Sequence, residues 1–198
     1  MHNMTITAHT GALRTKPNSL QSVKAALACG ADIFEVDVRF TPDGTPALGH
    51  DKAGARSPTL EAVFELMQGH TTRINLDMKE TSGVARMAEL VAQYGLQGRA
   101  FMTGIAEKNV PAVRDCGLPY YLNSSDLAAA VELGALGPNI YHMTCSEKLV
   151  RLAHEKGLVV SVWTVDRRSA MQSMLRLGVD NITSRKPDVL RKVMGHAS

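Results

Sequence analysis

Aromatic residues make up only 5% of the 198-residue chain, with a single tryptophan, so no stacking platform for single-stranded nucleic acid is expected. Lysines and arginines are scattered rather than clustered, and the formal charge is +3. That balance is too mild to hold a phosphate backbone or an anionic membrane surface. Three cysteines, Cys29, Cys116 and Cys145, are odd in number and far apart, which argues against a disulfide framework and a zinc pattern. No run approaches the roughly 20 apolar residues that span a bilayer. The opening MHNMTITAHTG has no basic stretch leading into an apolar core, so no secretory signal is expected. These absences point to a soluble cytoplasmic protein whose partner is a small molecule, with no nucleic acid and no stable membrane insertion.

What is present is ordinary globular composition, 44% hydrophobic and 21% charged, over a length that suits one domain spanning residues 1–198. Short β-type runs alternate with helical runs along the whole chain. MTITAH precedes SLQSVKAALACG, IFEVDVRF and PALG precede TLEAVFELMQG, and TRINLDMK precedes GVARMAELVAQYG. The second half continues with RAFMTG and AEKNVPAVRDCG, PYYLNS and DLAAAVELGALG, then NIYHMTC and SEKLVRLAHEKG. It closes with LVVSVWTV and RRSAMQSMLRLG, then VDNITS and PDVLRKVMG. Nearly every helical run ends on Gly, and several begin after Ser, Thr or Asp. Strands joined by helices run parallel, and the number of units, eight, is the number that closes a (β/α)8 barrel of the TIM type. The chain is shorter than the ~250 residues usual for that fold, so a compact barrel with short loops is expected. An open doubly wound sheet is the alternative, but no Gly-rich phosphate fingerprint follows the first strand.

In such a barrel the site lies where the strands end. The first strand ends on His9. The second carries Glu35 and Asp37, two residues apart and therefore on one face, and His50 lies beyond the turn TPDGTP. Asp77 and Lys79 share a face of the third. Thr103, Asn123, Ser124, His142, Trp163 and Asp166 lie near later strand ends. Glu35, Asp37 and Asp77 form an oxygen-only set suited to a hard divalent cation, magnesium or calcium. Lys79 beside it suits a phosphate, and His9 and His50 suit an acid–base pair. Plainer readings compete: a surface carboxylate pair, a hydrogen-bonded His50–Asp51 turn, a structural Lys79–Asp77 ion pair, a core Trp163 and a structural His142. His2, His70, His154 and His196 receive no role.

The ordered segments AHTG, KPNS, FEVDVRFTPDGTPALGHD, PTLEAVFELM, INLDMK, GLVVSVWTVD and GVDNITSRKPDVL resemble the glycerophosphodiester phosphodiesterases, from about Thr5 to Leu190. The resemblance implies a metal-dependent hydrolase that releases glycerol 3-phosphate and an alcohol. Matching positions make His9 and His50 the acid–base pair, and Glu35, Asp37 and Asp77 the metal ligands. Lys79 then lies near the phosphate and Trp163 lines the glycerol side. The attacking group would be the substrate's own neighbouring hydroxyl, so no protein nucleophile is implied.

Four departures stand out. Thr10 replaces the family's arginine, Pro17 replaces its glutamate, Asp77 is a methylene shorter than the usual ligand, and the insertion after His-Asp is missing. Asp166 in place of Asn adds negative charge near the rim, and Arg14 or Arg39 is a candidate for the lost positive charge. The missing insertion predicts an open pocket. The missing arginine opens an alternative, a phosphate-binding barrel that has lost catalysis or changed substrate.

Overall fold

The computed structural model describes residues 4–195, so His2 and His196 lie outside the described residues. In chain order the first half runs β1 (Thr5–Ala8), α1 (Leu20–Ala28), β2 (Ile33–Phe40), β3 (Pro46–Leu48), α2 (Leu60–Leu66), β4 (Arg73–Met78) and α3 (Val84–Gln93). The second runs β5 (Ala100–Ile105), α4 (Val110–Val113), β6 (Tyr120–Leu122), α5 (Leu127–Glu132), β7 (Asn139–Tyr141), α6 (Glu147–Glu155), β8 (Ser161–Trp163), α7 (Arg168–Leu177), β9 (Asn181–Ser184) and α8 (Pro187–Gly195). The parallel strands are ordered β6-β5-β4-β2-β1-β9-β8-β7, and β3 pairs antiparallel with β2. A parallel bridge between Leu122 and Pro138, with Leu122 N–H donating to Gly137 O at 2.9 Å, brings the two edges together. The expected eight-stranded parallel barrel is thus nearly closed.

Local chemistry explains the boundaries. Ser19, Thr59, Asp126 and Ser146 accept backbone N–H groups at the starts of α1, α2, α5 and α6, relieving donors that have no helical partner. Gly95 and Gly178 follow α3 and α7 in the left-handed conformation, which lacks a steric penalty only for glycine. Two runs differ from expectation. AEKNVPAVRDCG is not one helix: α4 is flanked by 3-10 turns at Glu107–Asn109 and Arg114–Cys116. Pro111 has no N–H to donate, so an α-ladder cannot run through that position. In NIYHMTC the strand stops at Tyr141, where Thr144 Oγ1 donates to the Tyr141 carbonyl at 2.8 Å and turns the chain.

The two faces of β2 show how the core and site are divided. Phe34, Val36 and Val38 join Ile74, Leu76 and Met78 of β4 in the main core, packed under α2 and α3 through buried Leu60, Phe64, Met87 and Val91. Inside the barrel, Ile33, Phe101 and Tyr121 form a small apolar cluster at the N-terminal ends of the strands. Beside it, at the starts of β1, β8 and β9, the interior is polar. Asn181 Nδ2 donates to Thr7 Oγ1 at 2.8 Å and to Thr5 Oγ1 at 2.9 Å, while Asn181 Oδ1 accepts from Ser161 Oγ at 3.1 Å. A buried polar layer is stable because its members satisfy one another. Among the described residues no helix is long and apolar enough to cross a membrane.

Candidate active site

One pocket of about 510 Å³ opens at the C-terminal ends of the strands. It is lined by His9, Glu35, Asp37, His50, Asp77, Lys79 and Trp163, together with Asn75, Thr103, Gly104, Asn123, Asn139, Thr164, Thr183 and Arg185. The seven residues to which the sequence gives a catalytic, metal-binding or substrate-binding role therefore line one cavity.

The carboxylates come from adjacent strands in register. Asp37 pairs with Asp77, and Glu35 with Asn75, across β2 and β4. One oxygen from each of Glu35, Asp37 and Asp77 lies within 4.8 Å of the others. Burial, followed by the charges of Asp77 and Asp37, pushes the Glu35 carboxyl well above its ordinary pKa of 4.5. Carboxylates crowded together in a buried site repel unless positive charge stands among them. The donor set, all oxygen and anionic, fits a hard divalent ion.

Lys79 supplies part of that charge. Its Nζ lies 2.5 Å from Asp77 Oδ2 and 3.0 Å from Asp37 Oδ1. Burial opposes the ammonium charge, but the two carboxylates outweigh it and raise the pKa to about 12. Asp37 Oδ2 accepts from Asn18 Nδ2 at 2.6 Å, and Thr103 Oγ1 lies 2.9 Å from both Asp77 Oδ1 and Asn75 Oδ1. Asp37 and Asp77 are each oriented by a neighbour.

The two histidines occupy different surroundings. His9 Nδ1 donates to the Thr10 carbonyl at 2.6 Å, since a carbonyl oxygen only accepts. In the neutral ring this leaves Nε2 as the acceptor, 3.8 Å from Glu35 Oε1. Burial chiefly lowers the His9 pKa below 6.5. His50 is exposed and arrives by way of the β2–β3 hairpin. Gly44, at φ 80°, and the Asp43 carboxylate, bonded by Thr41 and Thr45, close that turn. Gly49 N–H donates to the Asp37 carbonyl at 3.1 Å, which ties the hairpin's far end to the metal-type cluster. His50 Nδ1 lies 2.7 Å from Asp51 Oδ1, so the expected turn pair exists inside the site rather than instead of it.

Trp163 is not core: it is 38% exposed, and its Nε1 donates to the Asn139 carbonyl at 3.4 Å. Thr103 and Asn123 line the pocket as the strand-end rule anticipates. Ser124 instead donates to Glu107 Oε1 at 3.1 Å, and His142 does not line the cavity. His154, on the outer helix α6, pairs with Asp180, which directly precedes β9.

The departures have structural counterparts. Thr10 is buried and exchanges hydrogen bonds with Asn18, while Pro17 packs where a side chain on Gly11 would stand 2.8 Å from its ring. The two replacements thus share one tightly folded loop. Neither Arg14 nor Arg39 lines the pocket; Arg39 Nε donates to the His50 carbonyl at 2.7 Å. Asp166 does not line it either, and its carboxylate is paired with Arg185 Nη1 at 3.2 Å, so no bare charge is added to the rim. Arg185 was missed. It follows the last strand, and reading strand ends through to the eighth would have found it. Asn75, two residues before Asp77 and on its face, could have been found by the same alternation.

The Glycerophosphoryl diester phosphodiesterase family is matched over residues 9–116 and 104–189. A glycerophosphodiester phosphodiesterase of Caldanaerobacter subterraneus is 25% identical over 240 aligned positions, covering 93% of this chain and 95% of that protein. An alignment of 240 positions is longer than the 198 residues here, so the relative carries segments that this chain lacks. The crystal structure of a glycerophosphodiester phosphodiesterase from Parabacteroides distasonis is similar with a TM-score of 0.85 at 19% identity, covering 100% of this chain and 99% of that one. A phosphodiesterase from Oleispira antarctica, solved with the product sn-glycerol-3-phosphate, has a TM-score of 0.85 at 17% identity over 96% of each chain.

Proposed function

The chain belongs to the glycerophosphoryl diester phosphodiesterase family, and on that basis we propose that it hydrolyses a glycerophosphodiester to glycerol 3-phosphate and an alcohol by histidine acid–base catalysis beside a bound divalent cation. The observation that carries this reading is the convergence of three carboxylates and two imidazoles on one pocket.

Glu35, Asp37 and Asp77 would hold magnesium or calcium, which would offset their mutual repulsion and polarise a phosphoryl oxygen. The hydroxyl next to the phosphate on glycerol attacks phosphorus. His9 suits the base, because its tautomer is fixed by Thr10 and its lowered pKa keeps Nε2 unprotonated near neutrality. His50 suits the acid that protonates the departing alkoxide, with Asp51 fixing its ring. Water then opens the cyclic phosphate, with the two rings exchanging roles. Lys79 holds the carboxylates in place and presents a positive charge to the phosphate, and Trp163 lines the glycerol side.

The test is release of glycerol 3-phosphate from glycerophosphodiesters differing in their alcohol, with magnesium, calcium or chelator. Release should require the ion and fall by roughly 100-fold or more in His9→Asn and in His50→Asn, the scale of acid–base catalysis. Turnover that survives chelation, or either substitution, overturns the mechanism. Folded protein with no turnover on any such diester would favour the alternative that Thr10 raises, a barrel binding a phosphorylated ligand or acting on a different one.

A further inference from the structure

A phosphodiester is an anion, yet the wall of this pocket nearest the histidines is built of carboxylates. Among the described residues lining it, the permanently positive side chains are Lys79 and Arg185. Lys79 is engaged by Asp37 and Asp77. Thr10 offers no positive charge, and its hydroxyl is spent on Asn18.

Arg185 is held differently. Asp166 Oδ1 accepts from its backbone N–H at 2.8 Å and Asp166 Oδ2 pairs with Nη1 at 3.2 Å, so one carboxylate fixes both the backbone and the side chain. Its own carbonyl accepts from Leu13 N–H at 3.0 Å, which places it against the loop that carries Thr10. The guanidinium has five donors, and the bond to Asp166 uses Nη1. Its side chain lines the same pocket as His9 and Glu35.

We infer that Arg185, oriented by Asp166, is a phosphate-binding residue of this pocket, contributed after the last strand of the barrel rather than after the first. The inference rests on the phosphodiester reading of the pocket. It makes Asp166 a positioning residue: without it the guanidinium keeps its charge but loses the fixed direction that two-point phosphate recognition needs.

Titration calorimetry with inorganic phosphate and sn-glycerol 3-phosphate, in chelator and in magnesium, tests this on the intact chain, with glycerol as the uncharged control. Arg185→Ala should weaken both anions by about 10- to 100-fold, the scale of one charge-assisted contact, at unchanged melting temperature. Arg185→Lys should recover only part of the affinity. Asp166→Asn should weaken anion binding without lowering the melting temperature, and Asp166→Glu should restore some of it. Phosphate affinity equal to wild type in Arg185→Ala overturns the inference, as does a wild-type protein that binds neither anion. A lower melting temperature with unaltered affinity in Asp166→Asn would reduce Asp166 to a structural role. Failure of the proposed hydrolysis is read separately, because an absence of turnover leaves the anion titrations standing.

Discussion

At Glu35 the site and the stability of the molecule pull in opposite directions. The side chain is 7% exposed, sits beside two other acids, and has its pKa raised well above 4.5. A carboxyl whose pKa is raised by folding binds protons more tightly in the folded state. Its penalty is therefore absent below the unfolded value and grows as pH rises toward the folded one. Glu35→Gln removes that penalty. The ion-free variant should melt a few degrees above ion-free wild type at neutral pH, with the gap shrinking toward pH 4.5. Saturating magnesium should reverse the order, because ligand binding to the folded state raises wild-type stability by about 2.7 kcal/mol at a hundredfold excess over Kd. Scanning calorimetry across pH, with and without the ion, checks both halves. A variant that is less stable than wild type without ion would show that Glu35 is satisfied by the protein itself.

Between residue and barrel, the irregular elements do the positioning. Strand β5 spends four residues, Met102 to Ile105, where β6 spends three, Tyr120 to Leu122, and the surplus forms a bulge that includes Gly104. Gly104 has φ 76°, and a methyl there would stand 2.4 Å from the Met78 carbonyl and 2.8 Å from Asp77 Oδ1. The lack of a Cβ at Gly104 thus lets β5 lie close against the ligand strand, where Thr103 pairs with Asp77. Gly104→Ala should lower stability by about 1–2 kcal/mol from backbone conformation alone. By displacing Asp77 it should also remove most of the magnesium-induced rise in melting temperature. A variant that loses stability but keeps the full ion response would separate the bulge from the site. This bulge is not readable from RAFMTG, because a glycine near a strand end fits a plain turn equally well. The break at α4 was signalled by Pro111, whereas the early end of β7 depends on a side-chain bond at Thr144 that alternation does not report.

For the molecule as a whole, alternation of strand and helix was enough to give the barrel, because parallel pairing and crossover helices leave few topologies. The strand-end rule then brought His9, Glu35, Asp37, Asp77 and Lys79 to one mouth. It could not supply pairings across the chain: Asp166 looks like added negative charge in sequence and is half of an ion pair in space. The short path from His50 to α2, read in sequence as a missing insertion, has a direct consequence for selectivity. His50 is 67% exposed and Asp51 92%, and on the opposite side Tyr141 is 48% exposed beside Trp163. The alcohol half of a bound diester would therefore extend into water instead of a closed pocket. A buried methylene contributes about 0.8 kcal/mol, roughly fourfold in binding, but one that stays hydrated contributes almost nothing. Glycerophosphodiesters that differ only in the size of the alcohol should then be turned over with kcat/KM values within about tenfold of one another. Removing the glycerol hydroxyl next to the phosphate should instead abolish turnover. Steady-state kinetics on such a series decides it: a preference above about 100-fold for one alcohol would mean that a wall absent from this mouth forms when substrate binds.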